Sequence, residues 1–142
     1  MSHLFIYGTL RDRDVCEKVL GRPVDASALQ PAMAPDFAIF KVASVSYPCL
    51  LPVKDAMAEG ALLSGLTEAD LQRLDVFEGV NYQRTACQVL TDGKTIETQY
   101  YKPKETLITD GSWSLSAWQK EGKDSFLSRD FNLGGVRVPS DD

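Results

Sequence analysis

Near the start of the chain, a short apolar run (Leu4, Phe5, Ile6, Tyr7) gives way abruptly to Gly8-Thr9-Leu10-Arg11. The run reads as a buried strand. A strand that ends on Gly and then Thr can turn sharply and leave successive backbone N–H groups pointing into open space. Such a nest suits a carboxylate or a developing oxyanion. Residues 12–20 (DRDVCEKVL) follow as a short helix with Val15, Val19 and Leu20 on one side, stopped by Gly21 and Arg22-Pro23.

Further along, periodicity fades and returns. Residues 23–35, rich in Pro and Ala, have no clear period and read as loop with short extended pieces, whereas 37–42 (FAIFKV) read as a strand. Ser46-Tyr47-Pro48 breaks the chain, and Leu50, Leu51 and Pro52 form an extended apolar patch suited to a core edge or a pocket wall. Residues 59–65 (EGALLSG) predict a strand of small side chains. Thr67-Glu68-Ala69-Asp70 then opens a helix as an S/T-x-x-D box, with Leu71, Leu74 and Phe77 on one stripe and Gly79 as its stop. Residues 83–90 and 95–101 are strand-like on either side of Thr91-Asp92-Gly93-Lys94, and Asp-Gly in that position predicts a hairpin. Residues 114–130 read as a helix anchored by Trp118, Phe126 and Leu127 and weakened by Gly122, and 134–142 read as a mobile tail. Strands outnumber helices, and the helices lie between or after them. The expected fold is α+β: a small mixed, curled sheet or barrel with two or three covering helices, in a single domain over residues 1–133.

Composition narrows the function. The 142 residues suffice for one domain with a real core. A net charge of −5 with no basic run argues against nucleic acid as a partner. No apolar segment approaches the ~20 residues needed to cross a bilayer, and no basic start precedes a long apolar stretch, so neither a membrane span nor a signal peptide is expected. Cys16, Cys49 and Cys87 are odd in number and scattered, with His3 the lone histidine. This spacing disfavours zinc and fits a reducing cytoplasm. A Cys–His nucleophile would need His3 to fold back on Cys49; isolated free cysteines more simply serve as small buried hydrophobes.

Two stretches stand out together: Tyr7-Gly8-Thr9-Leu10-Arg11, and Leu74-Asp75-Val76-Phe77-Glu78-Gly79 followed by Tyr82 and Arg84. With Tyr47-Pro48 and Gly60 between them, their order and separation resemble the gamma-glutamylcyclotransferase-like superfamily, most closely its AIG2-like branch, which includes gamma-glutamylamine cyclotransferases. The resemblance runs from about Leu4 to Tyr101. It implies that Tyr7, Gly8, Thr9 and Leu10 hold the glutamyl part of a small-molecule substrate through backbone N–H groups. It also implies that Glu78 is the general acid/base and that Tyr82, Arg84 and Tyr101 shape and support the pocket. The implied reaction is attack of a gamma-glutamyl compound's own α-amine on its side-chain carbonyl. This releases 5-oxoproline and a free amine, with no cofactor or metal.

Each of these residues also has a plainer reading. Glu78 alone is an acid at a helix end, and Asp75 a helix-face charge paired with a nearby Lys or Arg. Arg11 reads as a local ion pair with Asp12 or Asp14, and Tyr82 and Tyr101 as core-edge aromatics. Arg84 could pair with Glu78 or Asp75; pairing with Glu78 would lower its proton affinity and impair a base, so Arg84 is expected to point elsewhere. Trp113 and Trp118 read as packing anchors, and residues 120–124 as a solvated helix face. The alternative to an enzyme is a binding module that holds a small carboxylate or glutamyl-like metabolite in the same pocket without turning it over.

Overall fold

In the computed structural model, which describes residues 2–42, 48–79, 82–103, 109–121 and 123, the first apolar run forms β1 (Ser2–Ile6). Its side chains divide between two cores. Leu4 and Ile6 join a cluster with Val15, Val19, Leu63, Leu71, Leu74 and Phe77, on the side of the helices. Phe5, with Tyr7 just beyond the strand, joins Ala32, Ala34, Leu50, Leu62, Val89 and Tyr100 on the other face of the sheet. A strand covered on both faces needs no polar alternation, which is why it reads as an unbroken apolar run.

The chain then makes a 3-10 turn (Thr9–Arg11) and enters α1 (Arg13–Leu20). Asp12 caps α1: its Oδ1 accepts from the N–H of Asp14 at 3.0 Å and of Val15 at 3.3 Å. β2 (Leu29–Val42) and β3 (Pro48–Leu66) are long and pair antiparallel with each other, and the hairpin β4 (Tyr82–Thr91) and β5 (Lys94–Pro103) completes the main path. The strand order is β1-β3-β2-β4-β5, with a short β6 (Thr109–Ser112) added to β2, and every described pairing is antiparallel. α2 (Glu68–Glu78) and α3 (Leu115–Glu121) pack with α1 on one face. The fold is α+β with a curled sheet and three helices, as expected, and its sheet is antiparallel rather than mixed.

The two ends of that path meet. Among the described residues β1 and β5 share no ladder; side chains join them instead. Thr98 Oγ1 donates to the His3 carbonyl at 3.1 Å, His3 Nδ1 lies 2.8 Å from the same hydroxyl, and the Tyr7 hydroxyl donates to the Tyr101 carbonyl at 3.0 Å. The sheet thus rolls almost into a barrel along a seam made by side chains.

Several expectations are corrected. Residues 29–35 are strand, not loop: pairing with β3 continues through Pro31 opposite Ala61 and Pro35 opposite Met57. The irregularity comes later, at Asp36, whose φ of 64° accompanies a register shift, and at Asp55 (φ 66°), whose N–H donates to Asp36 Oδ1 at 2.9 Å. These paired kinks let two long strands bend together. The apolar patch at 50–52 and the strand at 59–65 are therefore one element, β3. Arg11 pairs with Glu59 at 3.8 Å, not with Asp12 or Asp14, because both acids are engaged by Lys123, at 3.1 and 2.8 Å. Gln119 Nε2 also donates to Asp12, at 2.9 Å. Lys123 is thereby removed from the solvated face expected for residues 120–124 and pins the end of the chain's last described helix to the start of α1. Trp118 is buried and lies 6.5 Å from Trp113 between ring centroids. Gly122, Phe126, Leu127 and the tail at 134–142 lie outside the described residues.

Candidate active site

Helix α2 places Glu78 through its own caps and stripe. At its start Thr67 and Asp70 cap one another: Asp70 N–H donates to Thr67 Oγ1 at 3.1 Å, and Thr67 N–H to Asp70 Oδ2 at 3.0 Å. Arg22 locks the same carboxylate with Nη2 at 2.8 Å. Leu71, Leu74 and Phe77 are buried, which fixes the helix's rotation. Gly79, at φ 85°, ends the helix directly after Glu78, and its N–H donates to the Asp75 carbonyl at 3.0 Å.

Opposite this helix end lies the turn after β1. The N–H groups of Arg11 and Asp12 close the turn on the carbonyls of Gly8 and Thr9, both at 3.0 Å. Those of Gly8, Thr9 and Leu10 take no partner among the described residues. Gly8 is required by close approach rather than by a positive φ: a Cβ there would stand 2.8 Å from Cγ of Pro48. Pro48 thus lies directly over the turn, a pocket-wall role consistent with the Pro-flanked patch seen in the sequence.

One cleft is lined by Phe5, Ile6, Tyr7, Gly8, Thr9, Leu10, Pro48, Phe77, Glu78, Tyr82 and Tyr101. Seven of the eight residues singled out from sequence meet there. The eighth, Arg84, lies in an adjoining groove with Asp75, Gly79, Gln83 and Gln99, and Tyr82 and Tyr101 border both spaces. Arg84 points at Asp75, with Nε 3.0 Å from Oδ1 and Nη2 donating to Oδ2 at 3.1 Å. Asp75 has a second donor that sequence reasoning missed: the Tyr101 hydroxyl, 2.7 Å from Oδ1. The two residues are 26 positions apart on different elements, so only strand register brings them together and no local pattern signals it.

The electrostatics differ sharply between the two acids. Glu78 is partly buried, and no cation pairs with it among the described residues. Loss of water pushes its carboxyl up to about 8, and the negative charge of Asp75 adds to the effect. The carbonyl end of a helix acts in the same sense. Burial also raises the Tyr7 and Tyr101 phenols, Tyr7 further through Glu78 and Tyr101 further through its bond to Asp75. Burial pushes the Cys49 thiol up to about 11, and the His3 ring is engaged with Thr98, so no Cys–His nucleophile forms. A carboxyl that exchanges its proton near neutrality, facing unpaired N–H groups, can pass a proton between two nitrogens while those groups hold an anion.

Comparison with known proteins places the chain in a family. Residues 4–115 match the family described as "Gamma-glutamyl cyclotransferase, AIG2-like". Among curated relatives, "AIG2-like protein D" of Arabidopsis thaliana is 33% identical, over 89% of this chain and 85% of its own. "AIG2-like protein C" of the same plant is 32% identical, over 88% and 73%. The solution structure of another Arabidopsis thaliana protein superposes with a TM-score of 0.67 at 26% identity, covering 89% of this chain and 86% of that one. A structure titled "Gamma-glutamyl cyclotransferase" shares the fold, with a TM-score of 0.61 at 16% identity over 96% and 88% of the two chains. Matched over most of its length by the family and at one-third identity by a curated relative, this chain belongs to the AIG2-like gamma-glutamyl cyclotransferase family.

Proposed function

We propose that the protein is a gamma-glutamyl cyclotransferase that converts a gamma-glutamyl amine or peptide into 5-oxoproline and a free amine. The substrate's α-amino nitrogen attacks its own γ-carbonyl carbon. The new C–N bond closes a five-membered lactam, and the bond to the departing nitrogen breaks. Ionised Glu78 takes one proton from the α-ammonium before attack and gives it to the departing nitrogen; the second proton, shed by the attacking nitrogen as the ring closes, follows the same route, so the amine leaves as its ammonium and the carboxyl ends the cycle as it began. The N–H groups of Gly8, Thr9 and Leu10 bind either the substrate carboxylate or the tetrahedral oxyanion. Tyr7, Tyr82 and Tyr101 form walls that keep the glutamyl chain curled. Holding attacking nitrogen and carbonyl together in this way supplies up to about 7–11 kcal/mol of the barrier, and the proton shuttle roughly 10²–10⁴-fold in rate.

The observation that carries this reading is the meeting in one cleft of turn N–H groups that take no partner among the described residues with the carboxyl of Glu78, withdrawn from water. The test is incubation with gamma-glutamyl amides and gamma-glutamyl amino acids, followed by chromatography for 5-oxoproline. Wild type is expected to release it, and Glu78→Gln to lose at least ~10²-fold in kcat. Full activity in Glu78→Gln would overturn the mechanism. Ligands that raise the melting temperature with no 5-oxoproline formed would favour a non-catalytic binding role.

A further inference from the structure

Asp75 and Glu78 stand one turn apart at the end of α2, and only Glu78 lines the cleft. Asp75 is nevertheless the more heavily tethered of the two. Arg84 of β4 grips it with two nitrogens at 3.0 and 3.1 Å, and the Tyr101 hydroxyl of β5 binds it at 2.7 Å. The Tyr101 backbone carbonyl in turn accepts from the Tyr7 hydroxyl at 3.0 Å, beside the nest of N–H groups. Two hydrogen bonds, joined through the body of Tyr101, therefore link the turn that faces Glu78 to the helical turn that carries it. We propose that Asp75, clamped by Arg84 and Tyr101, is the positioning residue for Glu78, and that the Asp75–Arg84 pair adjusts the pH at which Glu78 exchanges its proton. The catalytic half of this inference rests on the cyclotransferase reading; the electrostatic half does not.

Burial makes the larger part of the effect on Glu78, and among the charged groups facing it the pair supplies the rest. From the turn after β1 comes the Tyr7 phenol, from β4 the Tyr82 phenol, from β5 the Tyr101 phenol, and Cys49 of β3 lies close to Tyr7. Tyr7, Tyr101 and Cys49 are all raised by burial and stay neutral near neutrality. Asp75 is the charge that acts on Glu78 directly, and Arg84 compensates part of it. The two halves of the pair must then act in opposite directions. Removing the Asp75 charge leaves Arg84 uncompensated and favours ionised Glu78. Removing the Arg84 charge exposes Glu78 to the full charge of Asp75 and favours the protonated form.

The test is a titration of the Glu78 carboxyl by 13C NMR in the full chain, with a parallel pH profile of kcat/KM on a gamma-glutamyl amide. In Asp75→Asn the midpoint is expected to fall by about one pH unit, and in Arg84→Gln to rise by a similar amount. Arg84→Lys, which keeps the charge and loses the fork, is expected to hold the midpoint near wild type while lowering kcat. Midpoints that stay in place, or move in the same direction in Asp75→Asn and Arg84→Gln, overturn the proposal. Where Arg84→Gln shows no cooperative unfolding transition, Asp75→Asn and Arg84→Lys decide the question: an unmoved midpoint in Asp75→Asn overturns it. The NMR titration needs no turnover. Opposite shifts without 5-oxoproline would refute the enzyme alone, and 5-oxoproline with fixed midpoints would refute the role of the pair alone.

Discussion

At Glu78 the direction of a pH effect follows from the environment of one carboxyl. Folding raises it from an ordinary 4.5 to about 8, so between those values the folded protein binds more protons than the unfolded chain. Its contribution to stability is fully present below the lower value and is lost as pH rises through the upper one. Glu78→Gln cannot ionise. It is expected to melt at least ~3 °C above wild type near pH 9 and together with it near pH 4, as read by thermal denaturation across pH. The residue scale also explains Gly60, where a Cβ would stand 2.5 Å from the Ile6 carbonyl oxygen and 2.6 Å from the Phe5 ring. Backbone cannot yield as a flexible side chain can, so Gly60→Ala is expected to cost about 1–3 kcal/mol by urea unfolding. Glu78 and the Gly8 turn were legible in the sequence because each sits in a short phrase of its own. The attachment of Asp75 to Tyr101 was not, since it depends on two elements meeting in space.

Among the elements, α2 shows how local signals place a distant group. Its box, its apolar stripe and its glycine stop were all readable, because capping and periodicity act within a few residues. Asp70 serves both the cap and Arg22, and those bonds hold its carboxyl below the usual range despite its burial. Asp70→Ala is expected to lower stability by about 1–2 kcal/mol. The loss should shrink as pH falls toward the range where Asp70 protonates, because the paired carboxylate stabilises only when ionised. Leu74, fully buried beneath the site, is expected to cost about 2–5 kcal/mol on truncation to Ala, measured by urea unfolding. The hairpin at Asp92-Gly93 was equally plain, with φ of 51° and 73° at its two corners. β2 was misread because Pro31 and Pro35 are strong local breakers. A neighbouring strand overrides that preference by pairing with the groups on either side of them.

For the whole molecule, strand order was beyond the sequence, since pairing partners lie far apart in the chain and share no signature. The class was still readable from the count and order of elements. What closes the roll is specific: Thr98 and His3 at one height of the β1–β5 seam, Tyr7 and the Tyr101 carbonyl at another. Thr98→Val keeps the shape and deletes both bonds to His3. Hydrogen exchange is expected to quicken at β1 amides before the rest of the sheet, with a lower melting temperature; uniform protection would show that the seam carries no load.

A twisted sheet with two free borders invites other chains to extend it, and here those borders are turned toward each other. Two backbone carbonyls on those borders, of His3 and Tyr101, already accept from the protein's own Thr98 and Tyr7 hydroxyls. The same contacts that complete the roll therefore leave fewer free acceptors for strand addition by a second copy.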